Sequence, residues 1–265
     1  MKHFAFRYES SVILSAPVTA HSFLLRALPR TEQFQRVEWD SLRVSASLPN
    51  GRTIEVPVHS RKDAFGNGTQ SGCVLPPHVG LSMEAVGRVA QSPYRICGTA
   101  HGMYSAPTGL TTPSEAMLAF LRSLELDKSN SVKEKASAIA SAVHRHMAYQ
   151  PGSTDVLTTA AKAFELGQGV CQDYAHITLA LLREAGIPAR YVCGLLSGEG
   201  ATHAWVEWFD SGVWLALDPT HDCAVEYGCI KIAHGRDSAD CPVNRGIFTG
   251  RVQQQNSVSI KVEEL

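Results

Sequence analysis

The sequence predicts an α+β fold in which a β-rich N-terminal module precedes a helix-and-sheet module, and three observations carry that reading. Residues 1–95 alternate apolar and polar side chains in short runs broken by turn residues. Two helix-start signals with amphipathic continuations follow between residues 112 and 147. A helix that is apolar over most of its circumference then begins at Cys171 and is followed by three short strand-like runs. The expected division is a β-rich domain over 1–95 and a catalytic domain over 96–265.

In the first module Phe4, Phe6 and Tyr8 alternate with polar neighbours, as do Val37 and Trp39, then Leu42 and Val44. Pro49-Asn50-Gly51 and Phe65-Gly66-Asn67-Gly68 supply the reversals between such runs, and a β-sandwich-like arrangement results. Arg30, Gln33 and Gln35 read as loop and surface residues. Asn67-Gly68-Thr69 is a formal glycosylation sequon, without meaning in a chain that is not secreted.

Residues 105–112, rich in Pro, Gly, Ser and Thr, read as the connection between modules. Thr112-Pro113-Ser114-Glu115 reads as a capping box with proline at the first helical position, and helix is expected through Leu126. Ser131 to Glu134 repeats the device before a helix to about Met147, with Ile139, Val143 and Met147 on one face. His144 and His146 then complement the helix C-terminus. Thr158 or Thr159 caps a short helix ending at Gly167. The helix from Cys171 stops at Gly186, with Pro188 beyond it. Strands are expected over 189–195, 203–209, 213–217 and 228–233, and through the alternating Val258, Ile260 and Val262.

Composition narrows the function classes. Of 265 residues, 44% are hydrophobic and 18% charged, which describes a globular chain rather than a disordered one. The net charge of −1 leaves no basic excess for a phosphate backbone, so nucleic acid is not an expected partner. No apolar run reaches the roughly 20 residues of a membrane span, and the alternating N-terminus does not read as a signal peptide. Seven cysteines without CxxC spacing fit free thiols in a reducing compartment, and the expected location is cytoplasmic.

The chemistry concentrates between Gly167 and His221. Cys171 lies where a Gly-rich turn gives way to a helix, near the positive end of the helix dipole, which favours thiolate over thiol. His203 heads the strand-like AWVEWF run, and Asp218 ends VWLALD. A thiol, an imidazole and a carboxylate thus occur in an order that a nucleophile, its base and the base's orienter can take.

The segments GVCQDYAH, AGIPARYV, THAWVEWF and LDPTH resemble the core of the transglutaminase-like superfamily, in particular its bacterial cysteine-protease-like members. HGRDSADCPVNRG (234–246) and DAFGN (63–67) are similar to further family segments, and Arg30, Gln33 and Gln35 to family positions. The resemblance implies a papain/transglutaminase-like core, a nucleophile helix packed on an antiparallel sheet. It also implies a catalytic triad of Cys171, His203 and Asp218. Cys171 would attack a peptide or side-chain amide to form a thioester, with hydrolysis favoured over protein-glutamine cross-linking. The alternative class is a catalytically idle binding module of the same fold.

Around the triad, Gln168 and Gln172 are equal candidates for the side-chain donor of an oxyanion site that also uses the Cys171 N–H. Trp205 and Trp208 fall on opposite sides of an alternating strand, and one of them is a candidate groove residue. Asp173 is expected to cap the first helical turn. His176, about 140° round the helix from Cys171, is expected to point away from it. His221, Cys223, Cys229, His234 and Cys241 match no regular zinc spacing, and no nucleotide-binding glycine motif occurs. Neither metal nor cofactor is expected. The expected partner is a peptide or protein substrate.

Overall fold

The computed structural model describes residues 1–127, 129–196 and 200–265. The N-terminal strands are β1 (Lys2–Leu25), β2 (Gln35–Ser47), β3 (Thr53–Glu55), β4 (His59–Lys62), β5 (Gly68–Val74), β6 (His78–Gln91) and β7 (Ile96–Cys97). Helices α1 (Glu115–Ser123) and α2 (Val132–His146) lead through β8 (Ala148–Tyr149) to α3 (Ala160–Leu166), β9 (Gln168–Gly169) and α4 (Cys171–Glu184). Next come β10 (Ala189–Leu196), β11 (Thr202–Asp210), β12 (Val213–Asp218), β13 (Cys223–Ala224) and β14 (Cys229–Gly235). The chain closes with β15 (Asn244–Thr249) and β16 (Gln254–Glu264). Among the described residues, no helix is long and apolar enough to cross a membrane.

Strand β1 organises the first sheet, whose order is β3-β2-β6-β1-β5-β4. Its first half pairs with β6 and β16, its second half with β5 and β15. The pairing with β6 breaks between Ile13 and Val18, a gap that holds Pro17, which has no N–H to offer a ladder. A second irregularity, between Thr19 and Ser22, contains Ala20 at φ 50°, so the long strand bends from one part of the curled sheet into the other. The alternation of Phe4, Phe6 and Tyr8 is realised as burial of all three.

That pairing corrects the expected boundary, because β15 and β16, assigned by sequence to the second module, complete the first one's sheet. Ile260 and Val262 supply its apolar alternation, while Val258 stays largely exposed.

The second sheet runs β13-β12-β11-β10-β14, with β7 pairing β12. Helix α4 packs on it with every residue from Asp173 to Arg183 buried, as its all-round apolar character requires. The helix starts differ in one detail from the sequence reading. Ser114, not Thr112, caps α1 by accepting from the Met117 N–H at 3.3 Å, while the Thr112 hydroxyl donates back to the Thr108 carbonyl at 2.8 Å. The capping box at Ser131 and Glu134 is present as expected.

Strand β14 is an edge, and its backbone is met by side-chain amides of the N-terminal module. Gln35 donates to the Lys231 carbonyl at 2.9 Å and accepts from the Lys231 N–H at 3.0 Å. Asn67 makes the same paired contact with His234, at 2.9 and 3.0 Å. Gln91 donates to the Cys229 carbonyl at 2.9 Å and accepts from Gly228 at 3.0 Å. Three amides thus do for this edge what a neighbouring strand would do. Gln35 and Arg30 are therefore not the surface residues expected. Gln35 is fully buried, and Arg30 bonds the Phe65 carbonyl and Asn67 across the same seam. Gln33 is exposed, as expected, and pairs with the Cys97 backbone. Asn67, fully buried, is no glycan acceptor in this fold.

Candidate active site

Helix α4 is started by a device legible in its residues. Gly167 ends α3 at φ 63°, and Val170 is the N-cap without a side-chain cap of its own. The Asp173 carboxylate reaches back to accept from the Val170 N–H at 2.8 Å and from the Thr154 hydroxyl at 2.7 Å. Gly169 is required by that approach, since a Cβ there would lie 2.6 Å from the Asp173 carboxylate. Burial raises the Asp173 pKa, against the hydrogen bonds from Thr154 and Val170. Cys171 therefore opens the helix half-buried, its own N–H left without an intrahelical acceptor.

His203 and Asp218 come from neighbouring strands, β11 and β12, and both are buried. His203 Nε2 and Asp218 Oδ2 lie 2.7 Å apart, which leaves Nδ1 for the Cys171 thiol, the ring's other hydrogen-bond partner. Burial alone would lower the His203 pKa. The hydrogen bonds to Asp218 and Cys171, and the charges of both, outweigh it and raise the value to about 10. Burial likewise pushes the Asp218 carboxyl up, but the bonds and charges of His203 and His221 hold it below the usual range. A sulfur at a helix N-terminus, an imidazole and a buried carboxylate thus stand in one line of contacts.

Sequence reasoning missed His221. Its Nδ1 lies 2.7 Å from Asp218 Oδ2, so two imidazoles share one carboxylate oxygen, while Oδ1 accepts from the N–H groups of Thr220 (2.9 Å) and His221 (3.3 Å). The signal was present in LDPTH, because a turn brings a residue three positions on back over its start. Among the described residues, His203, Asp218 and His221 form the one group whose ligand-type atoms lie within 4.8 Å of one another, and those atoms are already engaged in hydrogen bonds. Cys223, Cys229, His234 and Cys241 do not assemble with them.

Cys171 and His203 open into a groove of about 550 Å³. Of the two oxyanion candidates, Gln172 is among the residues lining it, whereas Gln168, paired with Ala148 in β9, is not. Neither tryptophan lines the groove. The alternation does put them on opposite faces, but each face is a core: Trp205 is fully buried beside Tyr94 and Trp214, and Trp208 is buried among the residues under α4. Trp205 stacks on His203 at 6.3 Å and donates from its indole N–H to the Tyr94 hydroxyl at 3.3 Å, so it backs the imidazole without reaching substrate space. His176 is fully buried and does not itself line the groove; its Nε2 accepts from the N–H of Ser238, a residue of the groove wall, at 3.2 Å. His146 stacks on Phe164 and bonds its carbonyl at 2.9 Å, a structural role.

With this geometry established, comparison with known proteins is informative. Residues 119–219 match the model of the transglutaminase-like superfamily. An uncharacterised protein of Mycobacterium leprae is 37% identical over 127 residues, 44% of this chain and 45% of the relative. A protein-glutamine gamma-glutamyltransferase of Pseudomonas aeruginosa is 37% identical over 89 residues, 29% of this chain and 13% of the relative. The match to the mycobacterial relative thus spans under half of its length. Among solved structures, a candidate cysteine protease from Cytophaga hutchinsonii superposes with a TM-score of 0.81 over all of this chain and 91% of its own, at 21% identity, which establishes the fold.

Proposed function

From the premise that this chain carries a transglutaminase-like core, we propose that it is a cysteine-nucleophile acyl-transfer enzyme acting on peptide or side-chain amides. The observation that carries the reading is the buried Asp218–His203 pair beside the Cys171 thiol at the open end of α4. Cys171 Sγ attacks the amide carbonyl. The developing oxyanion is met by the Cys171 N–H and, from the groove wall, Gln172. His203 then gives its proton to the departing amine, so the C–N bond breaks and a thioester remains. In the second half His203 takes a proton from water as it attacks the thioester, which releases the acid and leaves the free sulfur beside the protonated ring, as at the start. Asp218 keeps the ring in one orientation and stabilises its charge throughout.

Hydrolysis is the favoured outcome. An amine can enter the same thioester in place of water, and the Pseudomonas relative is named as a protein-glutamine gamma-glutamyltransferase. The seven cysteines, all free, fit a cytoplasmic location, which forms part of the proposal. The test is intact-mass spectrometry after brief exposure to blocked peptides and glutamine-containing proteins, with and without a lysine analogue. An acyl adduct on Cys171 that decays to acid is expected. Decay only to the amine adduct would replace hydrolysis by transamidation, and no adduct with any amide would remove the enzyme reading.

A further inference from the structure

Two chemically distinct sets of residues line the groove. The first is Tyr149, Val156 and Leu157, which are 51%, 72% and 76% exposed, with Leu110. Large apolar side chains are normally drawn into the core, and these are held out by a fixed loop. The Asp155 carboxylate accepts from the Leu157 N–H at 2.9 Å and from the Thr158 hydroxyl at 3.0 Å, and that hydroxyl in turn accepts from the Asp155 N–H at 3.0 Å. The residue before this turn, Thr154, donates to the same Asp173 carboxylate that caps the nucleophile helix. The apolar wall is thereby tied to the frame that positions Cys171.

The second is Pro242, Val243, Asn244 and Arg245, the last two exposed at the start of β15. Among the described residues lining the groove, Arg245 and His203 are the cationic ones and none is a carboxylate. Arg245 makes no ion pair among the described residues, so its guanidinium is free to receive an anion.

Resting on the acyl-transfer reading, we infer that the groove selects a peptide segment that carries, near the scissile amide, both a large apolar side chain and an aspartate or glutamate side chain. The Tyr149–Val156–Leu157 wall takes the apolar group and Arg245 takes the carboxylate. Burying a leucine-sized side chain supplies the larger share of selectivity. The rim ion pair supplies a smaller, salt-sensitive share.

The test uses the full chain carrying Cys171→Ala, and peptides blocked at both termini so that only side chains bear charge. Affinity is read by fluorescence anisotropy. Exchanging the peptide's Leu for Ser should weaken binding about 10-fold, and exchanging its Glu for Lys about 5-fold at low salt, less at high salt. Adding Arg245→Glu should reverse the Glu-over-Lys preference and leave the Leu-over-Ser preference, whereas Leu157→Ser should do the opposite. Equal affinity for all the peptides, no binding of any, or a charge preference indifferent to Arg245→Glu would overturn the inference. Turnover of the same peptides by the unaltered protein separates the two claims. Selective binding without acyl transfer sinks the enzyme reading alone, and transfer without selectivity sinks the groove assignment alone.

Discussion

Strand β11 carries two buried clusters four residues apart, each centred on a carboxylate, and they are built for different ends. In the first, His203 joins Asp218 and the half-buried Cys171 at the floor of a groove. In the second, Glu207 accepts from Lys231 Nζ at 2.7 Å, from Arg190 and from the Tyr94 hydroxyl, and Arg190 lies 4.2 Å over the Trp214 ring. Burial would raise the Glu207 pKa, but the charges of Arg190 and Lys231 hold it at about 2. None of its residues lines the groove of the first cluster, and its charges hold β10, β11 and β14 together. The first cluster differs in one respect that makes chemistry possible: its thiol faces open space, and its proton can move to something that enters.

That contrast can be broken by substitution, and the effects should fall in a definite order. Cys171→Ala should abolish amide turnover while leaving the thermal midpoint within a degree or two, because a half-buried thiol packs little but supplies all the nucleophilicity. Glu207→Ala should do the reverse, lowering stability by about 3–5 kcal/mol in denaturant titration by leaving Arg190 and Lys231 buried without their carboxylate. A loss below about 1 kcal/mol would mean that the second cluster is not a lock.

Asp218→Asn should sit between these. It keeps the size and loses the charge that stabilises the imidazolium, so turnover should fall about 10- to 1,000-fold with little change in melting. Unchanged turnover would reduce Asp218 to a residue that ends a strand.

The smallest effect concerns His176, outside both clusters. Burial lowers its pKa to about 4, below the unfolded value near 6.5. The unfolded chain therefore takes up a proton first. The stability associated with neutral His176 is fully present above about pH 6.5 and is lost as pH falls toward 4. Compared with His176→Gln, the unaltered protein should lose up to about 3 kcal/mol more across that window in pH-dependent unfolding. Parallel curves for the two proteins would show that the buried ring does not stay neutral.

The same contrast explains what could be read from the sequence. Cys171, His203 and Asp218 were legible because each sits at a local boundary, a helix start, a strand start and a strand end, that its neighbours announce. The Glu207 cluster was not, because its partners Tyr94, Arg190 and Lys231 lie on separate strands and loops, brought together only by sheet order. The N-terminal module follows the same rule. Alternation showed which side chains of β1 and β16 face inward, but not that the two ends of the chain pair with each other, since no local pattern encodes a partner so distant in sequence. Alternation put the two tryptophans on opposite faces without saying that both faces are covered, so the groove candidate among them could not be separated from core packing.

The central claim is that the first cluster activates one particular sulfur. It is tested most directly by timed iodoacetamide labelling of the intact protein near neutral pH, read at each cysteine by peptide mass spectrometry. Cys73, Cys97 and Cys223 are more exposed than Cys171 and serve as internal standards, since accessibility alone would label them first. Activation by His203 should make Cys171 the fastest, by about 10-fold or more, and Asp218→Asn should erase most of that lead. Labelling that simply follows exposure, with Cys171 behind the three exposed thiols in both proteins, would contradict the account.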